Sequence, residues 1–344
     1  METAGIDLFG LIFIPTWVAV LALGAFTYLN SAAILVYAER RIAGLIQNRV
    51  GPNRVGPAGL LQPIADVLKL LLKEDVIPSQ GFKTLHTVAP LIPVITALMS
   101  VAVIPFGEGL YVTDINGGVL YLLAVASLGV YGVTLAGWAS NSKYSLLGGL
   151  RAAAQMISYE LPMGMAVASV VIVAGSLSVV DIAASQEHLW NVFINPIGAI
   201  IFIIAAFAEA NRTPFDLVEA EQELVGGFHT EYSGMKFGMF FLAEYMHVFI
   251  GSVLITTFFF GSYHLPFAGY WLPELSPMIK GVLDVSVFMG KVIFWCFVFI
   301  WVRWTIPRFK YNQVMKLGWG RLLPLSILNF MLIAAGMYAY THLF

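Results

Sequence analysis

The chain has 344 residues, 59% of them hydrophobic and 11% charged, with a formal net charge of −2 and a mean hydropathy of +0.83. A soluble domain has no use for that much apolar surface, and the apolar runs are long and continuous rather than short and alternating. The class is therefore a polytopic helical membrane protein and not a transmembrane barrel. No basic field suggests nucleic acid, and the single cysteine, Cys296, excludes an internal disulfide and any Cys-ligated cluster or zinc site built from this chain alone.

Eight apolar runs follow in chain order: Leu11–Tyr37, Val88–Phe106, Val119–Trp138, Leu161–Val180, Val192–Ala210, Phe237–Tyr263, Val285–Trp304 and Leu322–Tyr340. Each is near the ~20 residues needed to cross a bilayer. The first follows an N-terminus without Lys or Arg and is too long for a cleaved signal, so it is expected to remain as a span. The fifth is the weakest, because Asn195-Pro196 interrupts its start. The expected fold is all-α: eight transmembrane helices, with amphipathic interfacial helices in the cytoplasmic loops. It forms one integral membrane domain over residues 1–344, with loops at 38–87 and 211–236 on the cytoplasmic side.

Orientation comes from the cations. Loops after spans one, three, five and seven hold nearly all of them, including Arg40, Arg41, Arg49, Arg54, Lys143, Arg151, Arg212, Lys236, Arg308 and Lys310; Lys280 alone lies in the opposite loops. The positive-inside rule puts the odd loops in the cytoplasm and both termini outside. In the first loop, Gly51-Pro-Asn-Arg-Val-Gly-Pro57 is turn-forming. Beyond it Gln62, Asp66, Lys69 and Lys73 share one helix face and Leu60, Ile64, Val67, Leu68 and Leu71 the other, an amphipathic helix along the membrane surface. Read in isolation, that segment is a lipid-facing anchor.

Seven of the 20 acidic residues fall between Glu209 and Glu244. Thr213-Pro-Phe-Asp216 reads as a helix start, with Thr213 as N-cap, Pro214 at N1 and Asp216 closing a capping box, and Gly226-Gly227 as the stop. In that helix Asp216, Glu219 and Glu223 share a face and Glu221 points elsewhere. No lysine between Arg212 and Lys236 relieves the repulsion. A solvated acidic surface helix is the bland alternative. Glu209 and Glu244 weigh against it, since a carboxylate at membrane depth costs roughly 2.5–3.5 kcal/mol and usually has a task or a partner. Glu160 before Pro162, His247 one turn from Glu244, and Lys291 within span seven, which could neutralise one of the acids, extend the set of intramembrane polar groups. Glu39-Arg40-Arg41 ends span one, where the arginines can snorkel. No nucleotide fingerprint, no pair of histidines at ligand spacing and no nucleophile triad is present, so no nucleotide, haem or metal is expected in this chain.

The motifs, taken together, resemble the membrane H subunit of proton-pumping NADH:quinone oxidoreductase, known in mitochondria as subunit 1. They are Ala38-Glu-Arg-Arg41, Gly51 to Pro57 with Leu60-Leu-Gln-Pro-Ile-Ala-Asp66, Leu68-Lys69 with Lys73-Glu74, Gly148-Gly-Leu-Arg151 through Ser158-Tyr-Glu160, Ala210-Asn-Arg-Thr-Pro-Phe-Asp216, Glu219 to Leu224, Glu231-Tyr-Ser-Gly234, Ala243-Glu-Tyr245 and Trp301-Val-Arg-Trp with Pro307-Arg-Phe309. The resemblance runs from about residue 30 to 330. It implies a position at the elbow between membrane arm and redox arm, where the cytoplasmic end of the chain helps form a quinone chamber. Quinone is then the substrate, with the iron–sulfur cluster and flavin in partner subunits and no cofactor held here. Glu39, Arg40, Asp66, Arg212, Asp216, Arg303 and Arg308 are implied as chamber lining. Glu160, Glu209, Glu219, Glu221, Glu223, Glu231 and Glu244 are implied as the proton or charge relay. Implied partners are the other membrane-arm and redox-arm subunits, quinone and lipid, in a bacterial inner membrane with periplasmic termini. One alternative is the homologous subunit of an energy-converting hydrogenase-type complex, separable by its copurifying soluble subunits. The other is a stand-alone ion transporter, against which stands the lack of a broken-helix pair in two similar halves.

Overall fold

The structure is a computed structural model and describes residues 5–8, 12–218, 221–266 and 277–343. It opens with a short antiparallel hairpin, β1 (Gly5–Leu8) against β2 (Ile12–Pro15). The elements after it are helices. In chain order they are α1 (Thr16–Ile46), α2 (Gln62–Leu72), α3 (Lys83–Val88), α4 (Leu91–Met99), α5 (Gly118–Ala139), α6 (Lys143–Ala174), α7 (Val179–Ala184), α8 (Asn191–Ile194) and α9 (Pro196–Glu209). They continue with α10 (Glu221–Leu224), α11 (Gly234–Phe259), α12 (Pro277–Thr305), α13 (Tyr311–Leu317) and α14 (Leu323–Leu343).

Among the described residues, six helical stretches are long and apolar enough to cross a membrane: Trp17–Ile46, Gly118–Ala139, Lys143–Ala174, Gly234–Phe259, Ile279–Thr305 and Tyr311–His342. The spans expected at Val88–Phe106 and Val192–Ala210 fall on shorter helices, Leu91–Val103 and Pro196–Glu209. The first tightens into a 3-10 turn at Ser100–Val103. The second begins only at Pro196, because the Asn195 side chain caps it by accepting from the Gly198 amide at 2.9 Å. Asn195-Pro196 is thus a helix start and not an interruption.

Helix α11 is the centre of the bundle. It packs against α1, α4, α9 and α12, and α6 lies against α5, α9 and α14. The core between them is aromatic and aliphatic, with Tyr28, Phe202, Phe259, Phe288 and Phe299 fully buried. Phe207 of α9 stacks on Phe299 of α12 at 3.9 Å between ring centroids. Outward-facing Leu, Ile and Phe on α1, α12 and α14 remain exposed, as expected of helices that meet lipid.

Helix α2 has the expected amphipathic face. Leu60, Ile64, Val67, Leu68 and Leu71 are exposed on one side, while the helix packs on α11 and α1. The acidic segment departs from expectation. No helix starts at Thr213: residues 211–218 are turns, the Thr213–Pro214 peptide is cis, and the Asp216 carboxylate is taken by Arg308 instead of capping a first turn. Among the described residues of the segment, α-helix is limited to Glu221–Leu224 and ends at Val225, which adopts a left-handed φ of 65°. Glu219 lies outside the described residues.

This segment docks on α6 where α6 has no side chain. A Cβ on Gly148 would lie 2.6 Å from the Phe228 amide nitrogen and 2.7 Å from the Gly227 carbonyl carbon. Gly148→Val is therefore expected to push the segment off α6. Hydrogen exchange of residues 226–232 should accelerate about tenfold, the consequence of roughly 1.4 kcal/mol of lost docking. Wild-type exchange in this variant would contradict the packing described here.

Candidate functional site: a buried ionic network between two cavities

Helices α1, α11 and α12 converge on Arg212, in the turn after α9. Arg212 is only 4% exposed and Glu39 only 7%. The Arg212 guanidinium is 3.1 Å from Glu244 Oε2 and 4.0 Å from Glu39 Oε2. It also lies 4.2 Å from the centre of the Tyr245 ring. Tyr245 donates its hydroxyl to Glu39 Oε2 at 2.9 Å, and Arg303 approaches the other Glu39 oxygen at 2.6 Å. One turn of loop away, Asp216, 4% exposed, pairs with Arg308 at 2.8 Å. Burial pushes the Asp216 carboxyl above its ordinary range, and the Arg308 guanidinium pulls it back down.

The partners come from three helices and from the segments that follow α9 and α12. Glu39 comes near the end of α1, Glu244 and Tyr245 are consecutive on α11, and Arg303 is in the last turn of α12. Phe309 donates its amide to Pro214 O at 3.1 Å, locking the segment after α12 to the 212–216 turn. Three carboxylates (Glu39, Asp216, Glu244) thus face three guanidinium groups (Arg212, Arg303, Arg308). Balance of this kind is what makes buried ions tolerable.

The network separates two cavities. One is lined by Glu39, Arg212, Tyr245, Phe299 and Arg303. The other is lined by Glu209, Asn211, Glu244 and His247, with Gly129, Met156 and Phe228. Residues adjacent in sequence face opposite ways, Asn211 against Arg212 and Glu244 against Tyr245. The first cavity measures ≈ 10 Å³, far less than a substrate ring requires. The second measures ≈ 40 Å³, and a water needs ~10–15 Å³. Glu160, in the middle of α6, acts electrostatically on Glu209 and extends the acidic group toward α6.

The remaining expected residues divide. Arg40 and Asp66 pair at 2.5 Å between α1 and α2, and Lys69 is 3.8 Å from the same carboxylate. They stand outside the buried network, on the α2 side. Glu223 is half exposed and pairs with Arg151 of α6 at 2.5 Å. The relief that the loop's own sequence lacks therefore comes from another helix. Glu231 lies beside the buried His86, to which its backbone and carboxylate both contribute, and away from the cavity. The side chain of Glu221 is outside the described residues, as is Glu219. Lys291, a candidate neutraliser of one of the acids, does something else. Its ammonium donates to the carbonyls of Phe260, Ser262 and His264 at 2.7, 2.9 and 2.5 Å and sits over Trp190, at the far end of α11. Carbonyls freed at a helix end attract a cation much as a carboxylate does. Tyr245 and Arg151 carry parts of the site although nothing in their sequence motifs assigns them a role. Among the described residues no cluster of His, Cys, Asp and Glu is arranged to hold a metal.

A protein-family model described as NADH dehydrogenase matches residues 18–334. The chain is 58% identical to the NADH-quinone oxidoreductase H subunit of Salinibacter ruber over 333 residues, covering 93% of this chain and 96% of that protein. It is 57% identical over 333 residues to NADH-quinone oxidoreductase subunit 8 of Rhodothermus marinus, covering 93% and 98%. It is 50% identical over 320 residues to an NADH-quinone oxidoreductase H subunit of Geobacter metallireducens, covering 90% and 93%.

Removing one partner from a buried ion set leaves an uncompensated charge at a cost of about 3–5 kcal/mol. Arg212→Gln is therefore expected to lower the melting temperature of the detergent-solubilised protein sharply, and the added change Glu244→Gln to recover part of the loss. Additive effects in that double-mutant cycle would mean that the two side chains do not interact.

Proposed function

Since the chain belongs to the H-subunit family of NADH-quinone oxidoreductase, we propose that it is the membrane component that walls the quinone chamber of that complex and couples quinone reduction to proton translocation. Flavin and iron–sulfur clusters reside in partner subunits, and no complete redox site lies in this chain. The complex sits in a bacterial inner membrane, with the termini of this chain periplasmic. The exposed part of the acidic segment, around Glu223 and Val225, and the polar face of α2 are covered by redox-arm subunits. Those same subunits complete the chamber, of which this chain contributes only the Glu39–Arg212–Arg303 wall.

The observation that carries this reading is the position of Arg212 between the two cavities. A quinone headgroup that gains electrons takes up protons, and Glu39 or its arginines feel the change first. Two unit charges 4 Å apart interact by about 4 kcal/mol at an effective dielectric constant of 20. A shift of about 1.36 kcal/mol already changes a proton affinity tenfold. The negative charge of the reduced headgroup draws a proton from chamber water onto Glu39, Arg212 is then held by Glu244 alone, and a proton on Glu244 passes to the acidic cavity. In the reverse step the proton returns to Glu244 and Arg212 turns back to Glu39. The carboxylates of Glu160 and Glu209 accept the released proton, and waters in the cavity bridge them. Arg40 toward the C-terminal end of α1 and Asp66 on α2 mark the side on which a lipid-soluble substrate enters.

Two variants of the assembled complex test this. Arg303→Ala is expected to raise the KM for short-chain quinones several-fold while leaving NADH oxidation by ferricyanide intact, since that acceptor bypasses the chamber. Glu244→Gln keeps the shape and removes the charge, and is expected to lower quinone reduction and proton pumping together. Equal loss of the ferricyanide reaction would indicate failed assembly, and wild-type pumping in Glu244→Gln would remove that carboxylate from the path.

A further inference from the structure

The acidic cavity contains a third titratable side chain. His247 follows Glu244 by one turn of α11 and lines the same ≈ 40 Å³ space with Glu209, Asn211 and Glu244. Its Nδ1 lies 2.7 Å from the Ala243 carbonyl oxygen. A carbonyl only accepts, so Nδ1 carries the hydrogen and the lone pair of the neutral ring is on Nε2. Nε2 points across to α5, where Gly129 has no side chain: a Cβ at that position would lie 3.5 Å from Nε2. The imidazole thus has one nitrogen anchored to its own helix and the other facing the cavity wall. Helix α11 starts at Gly234, so on the orientation proposed above His247 is one turn deeper in the membrane than Glu244.

The surroundings suit an imidazole that changes its charge. From α9 the cavity receives Glu209, from α11 Glu244, from the turn after α9 the neutral Asn211, and from α4 and α5 only apolar residues and glycine, with no Lys or Arg among the lining residues. The Thr96 hydroxyl of α4, also close to Gly129, donates to Pro93 O at 3.1 Å. His247 is therefore the one side chain lining this space that can become a cation, and two carboxylates are present to balance it. The cavity exceeds the ~10–15 Å³ that a water needs, so water can span from carboxyl to Nε2.

We propose that His247 is a proton carrier of this cavity, extending the carboxylate path one helical turn further into the membrane. The proton leaves the carboxyl O–H of Glu244 or Glu209, passes over water and forms an N–H bond at Nε2. The carboxylate left behind balances the imidazolium. Release from Nε2 to the next water or acid restores the neutral ring, and Nδ1–H stays on Ala243 throughout. This rests on the reading of the cavity as part of the proton path.

The test uses the assembled complex in sealed vesicles with three variants: His247→Gln, His247→Glu and Glu244→Gln. His247→Gln fills the space with a group that cannot carry a proton. It is expected to lower NADH-driven proton translocation and quinone turnover at least threefold and to alter their pH profile, with ferricyanide reduction unchanged. His247→Glu restores a titratable group and should recover more than half of the loss. A purely structural histidine would be replaced equally badly, or equally well, by Gln and Glu, and either result overturns the proposal. Wild-type pumping and pH profile in His247→Gln also overturn it. Glu244→Gln in the same preparation then separates the two readings: if it is impaired while His247→Gln is not, the carboxylate path stands without the histidine.

Discussion

The structure depends on one buried guanidinium. Arg212 is almost completely removed from water, and moving an ion into such a place costs several kcal/mol before any partner is counted. Glu39, Glu244 and the face of Tyr245 offset that cost, and they come from two different helices. Arg303 shares Glu39, and Arg308 holds Asp216 beside them. Three spanning helices and one loop are fixed to one another by this set. Hydrophobic packing alone could not do so, because lipid competes for apolar faces as readily as a neighbouring helix does.

The two sides of Arg212 differ in kind. Toward Glu39, acids and arginines are matched charge for charge. Toward Glu209 and His247, titratable groups line a space without arginine or lysine. A matched network transmits a change of charge, and an unmatched cavity can absorb it by moving a proton. Glu244 belongs to both. That double membership, and not the number of carboxylates, is what the proposed coupling rests on.

Much of this is legible in the sequence. Hydropathy locates the long membrane-crossing helices, and the charged motifs point to Glu39, Arg212, Asp216, Glu244, Arg303 and Arg308 without knowledge of any contact. What the sequence hides has physical reasons. Helix α6 begins at Lys143 and not at Leu161, because Gln155 and Glu160, polar enough to end an apolar run, are accommodated by neighbours: Gln155 donates to Ala208 O at 2.8 Å. The helix expected at Thr213 is absent because Asp216 finds an arginine in a distant segment, and local capping propensity cannot compete with a buried ion pair. Glu223 has no relief within its own segment because its cation, Arg151, lies on another helix. Lys291 resembles a partner for the acids only until the orientation of its span is counted: it lies near the start of span seven, at the opposite end from Glu244, and meets the carbonyls freed after α11. The role of Tyr245 needs the fold itself, since one residue separates a side chain that faces one cavity from a side chain that faces the other.

The most direct measurement is the infrared difference spectrum of the assembled complex between oxidised and reduced quinone, taken for the wild type, Glu244→Gln and Arg212→Gln. The wild type is expected to show a carboxyl band that Glu244→Gln abolishes. Arg212→Gln, with quinone still bound and reduced, should abolish or shift the same band, because the change of charge no longer reaches Glu244. An unaltered Glu244 band in Arg212→Gln would show that the carboxylate responds to the quinone by another route and would contradict the role given to Arg212.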